Sequence, residues 1–143
     1  MTPARVPRLG GLSMRFRYLA AALLCATLLA APAAAHHSHV NYAISDFTYL
    51  TGTVTEIHLI NPHSWIYMEV KNDKGEPEIW ALESTTPGGL ERKGITRGFL
   101  KVGDAIKVRC HRNRDGSNAC VLGFLTPMHG DAARGHGVEK EWD

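Results

Sequence analysis

Hydrophobic and polar residues alternate in short runs between residues 49 and 125, and turn sequences separate these runs. A period of two is typical of strands with one buried face. In the first run the hydrophobic positions shift by one residue between Val54 and Ile57, which predicts a β-bulge. The runs predict five strands, at residues 49–60, 64–70, 77–83, 105–111 and 119–125.

A short helix is predicted between the third and fourth strands, within residues 85–94. Thr86 is a suitable N-cap, Pro87 suits the first helical turn, and Gly94 can end the helix. Three strands, a short helix and two further strands are the element order of an OB-fold, a five-stranded Greek-key barrel. We therefore predict an all-β fold, a small OB-like β-barrel of five strands. A generic β-sandwich is the alternative.

The second and third strands are predicted to form a hairpin closed by residues 72–75, with Lys71 opposite Glu76. In this register the expected core face contains Ile66, Met68, Val70, Ile79 and Ala81. The opposite face contains Trp65, Tyr67, Trp80 and Leu82. The three aromatic residues of that face are candidates for stacking on a sugar, a peptide or another planar ligand. The alternative is that this aromatic face is the core of the barrel.

The first 35 residues have the composition of an export signal. A positive region without acidic residues precedes an apolar stretch at residues 18–31, and "APAAA" follows with small residues for cleavage. We predict a cleavable signal peptide at residues 1–35, with Met1 or Met14 as the start, and a periplasmic or secreted protein with no membrane segment after cleavage. The alternative is an uncleaved anchor, although the apolar stretch is shorter than the about 20 residues that span a bilayer.

Removal of this leader changes the charge of the protein. The full chain has 143 residues and a formal net charge of +2. Four of its 16 Lys and Arg residues, and none of its 14 Asp and Glu residues, lie in the leader, so the mature chain carries −2. A basic surface for nucleic acid is therefore not expected.

Cys110 and Cys120 remain after the leader, which contains Cys25, is removed. An even number of cysteines in an oxidising compartment predicts a disulfide. The fourth and fifth strands, joined through a turn at residues 114–116, place the two cysteines directly opposite each other. The face that they share is expected to include Ile106, Val108, Leu122 and Phe124.

The predicted domain organisation has four parts. The signal peptide is followed by a histidine-containing segment at residues 36–48 and by the barrel at residues 49–127. Residues 128–143 lack hydrophobic periodicity and are expected to form a mobile tail.

Several short motifs occur together over residues 35–125: "AHHS", "LTGTVTE", "NPHSW", "WALE", "KGITRGFLKVGD" and "DGSNA". In these motifs the chain resembles a family of small exported bacterial proteins known only as a domain of unknown function. The resemblance implies a secreted or periplasmic β-barrel-like domain and brings no established activity or site. Cys110 and Cys120 depart from the usual pattern of that family. By analogy, "SWIYM" and the barrel order are also similar to periplasmic copper chaperones, small OB barrels with His, Met and Trp around the ion.

Three histidines, His36, His37 and His39, directly follow the predicted cleavage site. Cleavage after Ala35 gives His36 a free α-amino group, and amine and imidazole nitrogens together suit Cu(II). Cleavage one or two residues earlier places a histidine third, which also creates a square-planar site for Cu(II) or Ni(II). The alternative is that these histidines are merely polar and exposed to solvent.

His63 is the next candidate for a metal ligand because it lies in the turn "NPH", from which a side chain can extend at a barrel end. The alternative for His63 is hydrogen bonding to the backbone of that turn.

The sequence contains no nucleophile motif, metalloprotease motif, phosphate-binding loop or dinucleotide fingerprint, so we do not expect an enzyme. The leading hypothesis is an exported copper-binding protein or chaperone that uses the new N-terminus. One alternative is a non-metal binding or accessory module of the envelope, acting through the aromatic face or an exposed strand edge. A copper-dependent redox enzyme is the third hypothesis.

Overall fold

The computed structural model of the chain describes Tyr18 and residues 38–143. Residues His39–Asp143 form one structural unit. Its single α-helix among the described residues is α1 (Pro87–Arg92), and short 3-10 helices occur at Ser38–Asn41 and Ala132–Arg134. The strands are β1 (Thr48–His58), β2 (Ser64–Lys71), β3 (Pro77–Ser84), β4 (Ala105–Arg112), β5 (Ala119–Pro127) and β6 (Lys140–Glu141). Within the described part of the chain, no helix is both long enough and apolar enough to cross a bilayer.

Strands β1 to β5 form a closed barrel. β1 pairs with β2 on one side and with β4 on the other, β2 pairs with β3, and β4 pairs with β5, all antiparallel. A parallel contact between β3 and β5 closes the barrel. This strand order, with α1 between β3 and β4, is that of an OB-fold, so the predicted fold class is confirmed. β6 lies outside the barrel, on β5.

β1 bends so that its first half pairs with β4 and its second half with β2. Gly52 lies close to the change of partner, where a Cβ would be only 2.1 Å from the backbone oxygen of Glu69. Only glycine therefore allows β2 to approach this closely. The pairing with β2 shifts register between Val54 and Glu56, which confirms the predicted bulge.

The predicted helix signals are also confirmed. The Thr86 hydroxyl accepts a hydrogen bond from the Gly89 N–H at 3.0 Å, and Pro87 opens the helix. Gly94 follows the helix and has a backbone φ of +73, a conformation that residues with a Cβ rarely adopt. Leu90 of this helix is buried against the barrel core.

The predicted register of the β2–β3 hairpin is wrong by one residue. Lys71 pairs with Pro77, and Met68 pairs with Trp80. The turn contains five residues, 72–76, because Asn72 Oδ1 accepts hydrogen bonds from the N–H groups of Lys74 and Glu76. A slip of one residue moves every side chain of a strand to the other face. The core therefore receives Trp80 and Leu82 of β3, whereas Ile79, placed in the core by the prediction, is 52% exposed.

The predicted register of the β4–β5 hairpin is wrong by two residues near the turn, which leaves the cysteines on the predicted face. Cys110 pairs with Leu122 rather than with Cys120, and the register shifts again next to Arg109, opposite Gly123. Because of this bulge Phe124 leaves the core face, on which it was predicted, and lies beside Arg109, while Leu125 is buried. The predicted disulfide joins Cys110 and Cys120, whose Cα atoms are 5.6 Å apart on diagonal positions of the hairpin.

Residues 128–143 are not a loose tail, which corrects the prediction made for them. Trp142 is buried in the core cluster, with its ring 6.0 Å from that of Phe99. Its backbone N–H donates to the Gly123 oxygen at 2.9 Å. The segment is attached to the barrel mainly by the burial of this one indole ring. A single buried residue leaves no periodic pattern in the sequence.

Candidate functional site

His63 stands at the end of the barrel where β2 begins, after the cis peptide bond between Asn61 and Pro62. Its Nδ1 lies 3.0 Å from Oε1 of Glu83, near the end of β3. The imidazole is 38% exposed, whereas the carboxylate is only 13% exposed. The other oxygen of Glu83 accepts a short hydrogen bond from the hydroxyl of Tyr42. The three side chains form a continuous series, which we call the His63–Glu83–Tyr42 relay.

The electrostatics of the relay keep Tyr42 protonated. Burial, together with the hydrogen bond to Glu83 and the negative charge of that carboxylate, raises the pKa of Tyr42 above its usual value. A protonated phenol can only donate to Glu83, so the carboxylate stays oriented between the two rings. A proton on Nδ1 of His63 is favoured by the facing carboxylate, and the neutral ring then carries its lone pair on Nε2.

A cavity of about 200 Å³ adjoins the relay. It is lined by His63, Glu83, Ser84, Thr85, Val121 and Asp143. An imidazole oriented by a carboxylate is the usual arrangement of a metal-bound histidine, and it also suits a general base. Among the residues that the structure describes, no three His, Cys, Asp or Glu side chains are grouped closely enough to hold a metal ion. The relay thus provides one oriented nitrogen and not a complete metal site.

The segment before β1 is attached to the barrel beside the relay. Tyr42, 6% exposed, forms an isolated β-bridge with Asn113. The Ala43 N–H donates to the Arg112 oxygen at 2.9 Å, and the Arg114 N–H donates to the Asn41 oxygen at 2.8 Å. These bonds hold the chain that follows the predicted N-terminal histidines against the barrel wall.

The predicted N-terminal ligands are only partly described. His36 and His37 lie outside the described residues. The backbone of His39 belongs to the 3-10 helix Ser38–Asn41, and its side chain is not described. Of the four predicted metal ligands, His63 is the one whose side-chain surroundings are known.

The predicted aromatic face of Trp65, Tyr67 and Trp80 does not exist, because the corrected hairpin register separates its members. Trp80 is 6% exposed and belongs to the core, with the guanidinium carbon of Arg112 5.0 Å from its ring centroid. Trp65 and Tyr67 lie on the face of the sheet that points away from the core. The ring centroids of Tyr67 and His58 are 5.3 Å apart. A stacking platform of these three residues is therefore excluded.

The histidines near the C-terminus are poor metal ligands. Nδ1 of His129 accepts a hydrogen bond from the Asp131 N–H at 3.1 Å, and Nδ1 of His136 accepts one from the Gly130 N–H at 2.6 Å. Each neutral ring therefore carries its proton on Nε2, and no ring nitrogen of this pair keeps an unused lone pair.

Glu83 and Tyr42, the partners of His63, were missed by the sequence analysis. The contact between His63 and Glu83 depends on the hairpin register, which places Ser64 opposite Ser84 and so brings the residues before them together. Tyr42 is positioned instead by its bridge to Asn113, outside this hairpin. The signal that could have revealed the register is the turn "NDKGE", in which Asn72 can accept hydrogen bonds from two backbone N–H groups and Gly75 can adopt a positive φ.

The fold and this barrel end together define a small OB-like β-barrel protein in which a carboxylate orients His63. The chain matches the model of a family of unknown function, DUF6152, over residues 22–122, and it belongs to that family. This confirms the resemblance drawn from the sequence motifs. No curated protein and no solved structure gives a significant match to the chain.

Proposed function

We propose that the protein is an exported, periplasmic copper-binding protein that stores, ferries or senses the ion rather than catalysing a reaction. The proposed ligands are His36 and His37 at the mature N-terminus, with His39 and His63. The observation that carries the proposal is the relay, in which Glu83 faces Nδ1 of His63 at 3.0 Å and is itself held by Tyr42.

The relay supports metal binding through the chemistry of its imidazole. A histidine whose Nδ1 faces a carboxylate presents the lone pair of Nε2 to a metal ion, and the carboxylate fixes the orientation of the ring. Nitrogen ligands of amine and imidazole type suit Cu(II), which binds most tightly among the divalent first-row metals. His63 is partly exposed, so an incoming ion and further ligands can reach it.

The covalent chain supports participation of the N-terminal histidines. Tyr42, which belongs to the relay, follows His39 by three residues and His36 by six. An extended chain spans at most about 3.6 Å per residue, so the α-carbon of His36 is tethered within about 22 Å of that of Tyr42. The missing ligands of a site at His63 are therefore available in the same short segment. Cleavage of the leader after Ala35 would add the α-amino group of His36.

The test is native mass spectrometry of the protein purified from the periplasm, with and without one equivalent of Cu(II), in the presence of a mild competing chelator. The mass of the apo protein identifies the cleavage site. We expect one retained copper ion in the wild type. The double variant His36→Ala, His37→Ala should lose it.

Two variants of the relay examine the role of the barrel. His63→Ala should weaken copper binding, and Glu83→Gln should lower the affinity by about 10- to 100-fold, which is the usual effect of losing a partner of a metal-bound histidine. The matched control is His58→Ala, since His58 also lies beside a carboxylate, 3.1 Å from Glu56, but outside the relay. A wild type that retains no copper contradicts the proposal. Retention by His63→Ala equal to that of the control contradicts the part assigned to the barrel.

A further inference from the structure

A second and larger cavity lies where β1 begins and β2 ends. We call it the barrel mouth; its volume is about 580 Å³, within the range of small-molecule sites. Its apolar part consists of the partly buried Leu50 and Val70 and the buried Trp80. Its polar part includes Glu78, Arg112 and Asn118.

Arg112 carries an unneutralised positive charge in the barrel mouth. Its guanidinium lies over the ring of Trp80 and donates to the backbone oxygen of Gly116 at 3.0 Å. None of the ion pairs among the described residues includes Arg112 or the neighbouring Lys71. A guanidinium that is stacked on an indole and bonded only to neutral acceptors remains a strong site for a carboxylate.

Glu78 is the negative group of the barrel mouth, and two amides orient it. Its carboxylate oxygens accept hydrogen bonds from Nδ2 of Asn72 at 3.0 Å and from Nδ2 of Asn118 at 3.1 Å. Oδ1 of the same Asn118 lies 3.5 Å from Nη2 of Arg112. The Asn118 side chain therefore contacts both charged groups, and its two contacts limit the separation of the Glu78 carboxylate and the Arg112 guanidinium to at most about 9 Å.

A free amino acid is long enough to contact both of these groups at once. An α-ammonium and an α-carboxylate, with charge-assisted hydrogen bonds of about 2.8 Å at each end, bridge any separation up to about 9 Å. The guanidinium covers the face of Trp80, which disfavours a sugar or a planar ring stacked there. Leu50 and Val70 offer apolar contact for a side chain. We propose that the barrel mouth binds a free amino acid with an apolar side chain, with its carboxylate on Arg112 and its ammonium on Glu78.

The experiment is isothermal titration calorimetry of the metal-free mature protein with three probes: L-leucine, 4-methylpentanoate and isopentylamine. The last two probes each lack one charged group of leucine. We expect leucine to bind at least 10-fold more tightly than either, because each charged group of the site then has its partner. Equal affinity for the three probes, or no binding of leucine at 10 mM, overturns the proposal.

Three variants assign the contacts. Arg112→Gln should weaken leucine binding at least 10-fold, and Glu78→Gln should do the same while leaving the affinity for 4-methylpentanoate unchanged. Lys74→Gln is the control, because Lys74 is an exposed residue of the adjacent turn that does not line the cavity.

Near-ultraviolet circular dichroism verifies that each variant is folded. If a variant is unfolded, the comparison of the three probes on the wild-type protein still tests the proposal. A folded Arg112→Gln variant that binds leucine as the wild type does would also overturn the proposal. The His36→Ala, His37→Ala variant should bind leucine normally, which separates this inference from the copper proposal.

Discussion

Asp104 shows how a single buried carboxylate connects the C-terminal segment to the barrel. It is 8% exposed, accepts the Lys101 N–H at 2.8 Å, and forms an ion pair with Arg134. Burial alone would raise the pKa of Asp104, but the hydrogen bonds from Arg134 and Lys101 and the charge of Arg134 outweigh it. The pKa of Asp104 is therefore lower than its ordinary value.

Asp104→Asn should destabilise the protein by roughly 1–3 kcal/mol at pH 7, because Arg134 loses its charged partner. Since the pKa is lowered on folding, the charge of Asp104 stabilises the folded state above the ordinary Asp value of 3.8. This stabilisation is lost as the pH falls below that value toward the pKa of the folded state. Urea denaturation at several pH values checks both points.

The control for this residue is Asp46→Asn, because Asp46 is exposed and, within the described part of the chain, its carboxylate accepts a hydrogen bond only from the neighbouring Ser45. It should change the free energy of unfolding by less than about 0.5 kcal/mol. An Asp104→Asn effect that persists undiminished at the lowest pH would contradict the assignment of this ion pair.

The side-chain contacts of individual residues in the site were the hardest feature to predict from the sequence. His63 was identified from its turn, but nothing near it in the sequence points to Glu83, 20 positions later, or to Tyr42. Register determines which side chains meet across strands, so an error of one residue in the β2–β3 hairpin hid the contact with Glu83. The same error created the aromatic face that the structure does not contain. The contact with Tyr42 depends on the bridge from Tyr42 to Asn113, which no local pattern predicts.

The elements were predicted better than the contacts between them. The five strands, the bulge in β1 and the cap of α1 follow from local patterns: alternation, a phase change, and a threonine before a proline. The two hairpin registers do not follow, because they depend on a five-residue turn at residues 72–76 and on a bulge at Gly123. In the folded protein Gly123 lies against the ring of Phe47, a contact from outside the hairpin that no local pattern reveals.

Two glycine substitutions distinguish a turn from a helix. Gly75 adopts φ +80 in the β2–β3 turn, so Gly75→Ala should cost about 1–2 kcal/mol of stability. Gly88 lies in α1, and a Cβ there would meet only Arg92 Nη1 at 3.7 Å. Gly88→Ala should therefore stabilise the protein by about 0.5 kcal/mol.

Thermal unfolding of the two variants beside the wild type measures this difference. Opposite shifts of the melting temperature are the expected result. If both variants melt earlier than the wild type, the helical conformation assigned to Gly88 is incorrect.

For the whole molecule, the C-terminal segment is part of the fold rather than an appendage. It is joined to the barrel through the buried ring of Trp142, the Asp104–Arg134 pair, and surface ion pairs of 2.9 Å between Lys93 and Glu141 and 2.8 Å between Arg109 and Glu139. The exposed ion pairs contribute little, so the ring carries most of the attachment. Its isolated position in a polar stretch explains why periodicity did not predict it.

Trp142→Ala should lower the free energy of unfolding by about 3–5 kcal/mol, because it empties the volume of a large buried side chain. Val138→Ala is the control in the same segment, since Val138 is 54% exposed. Chemical denaturation measures both. A cost below 1 kcal/mol for Trp142→Ala would mean that the segment does not share the barrel core.

The threefold pairing of β5, with β4, β3 and β6, has a consequence for how the chain folds. Residues before Ala119 can assemble β1, β2, β3 and β4 into an open sheet, but the parallel contact that closes the barrel joins Ala81 to Ala119. Long loops must therefore be closed before the most central contacts form, which is the property of slowly folding β proteins. A chain emerging in order from a ribosome or a translocation pore would keep its hydrophobic interior open until β5 arrives, and one late strand would then convert the sheet into a barrel.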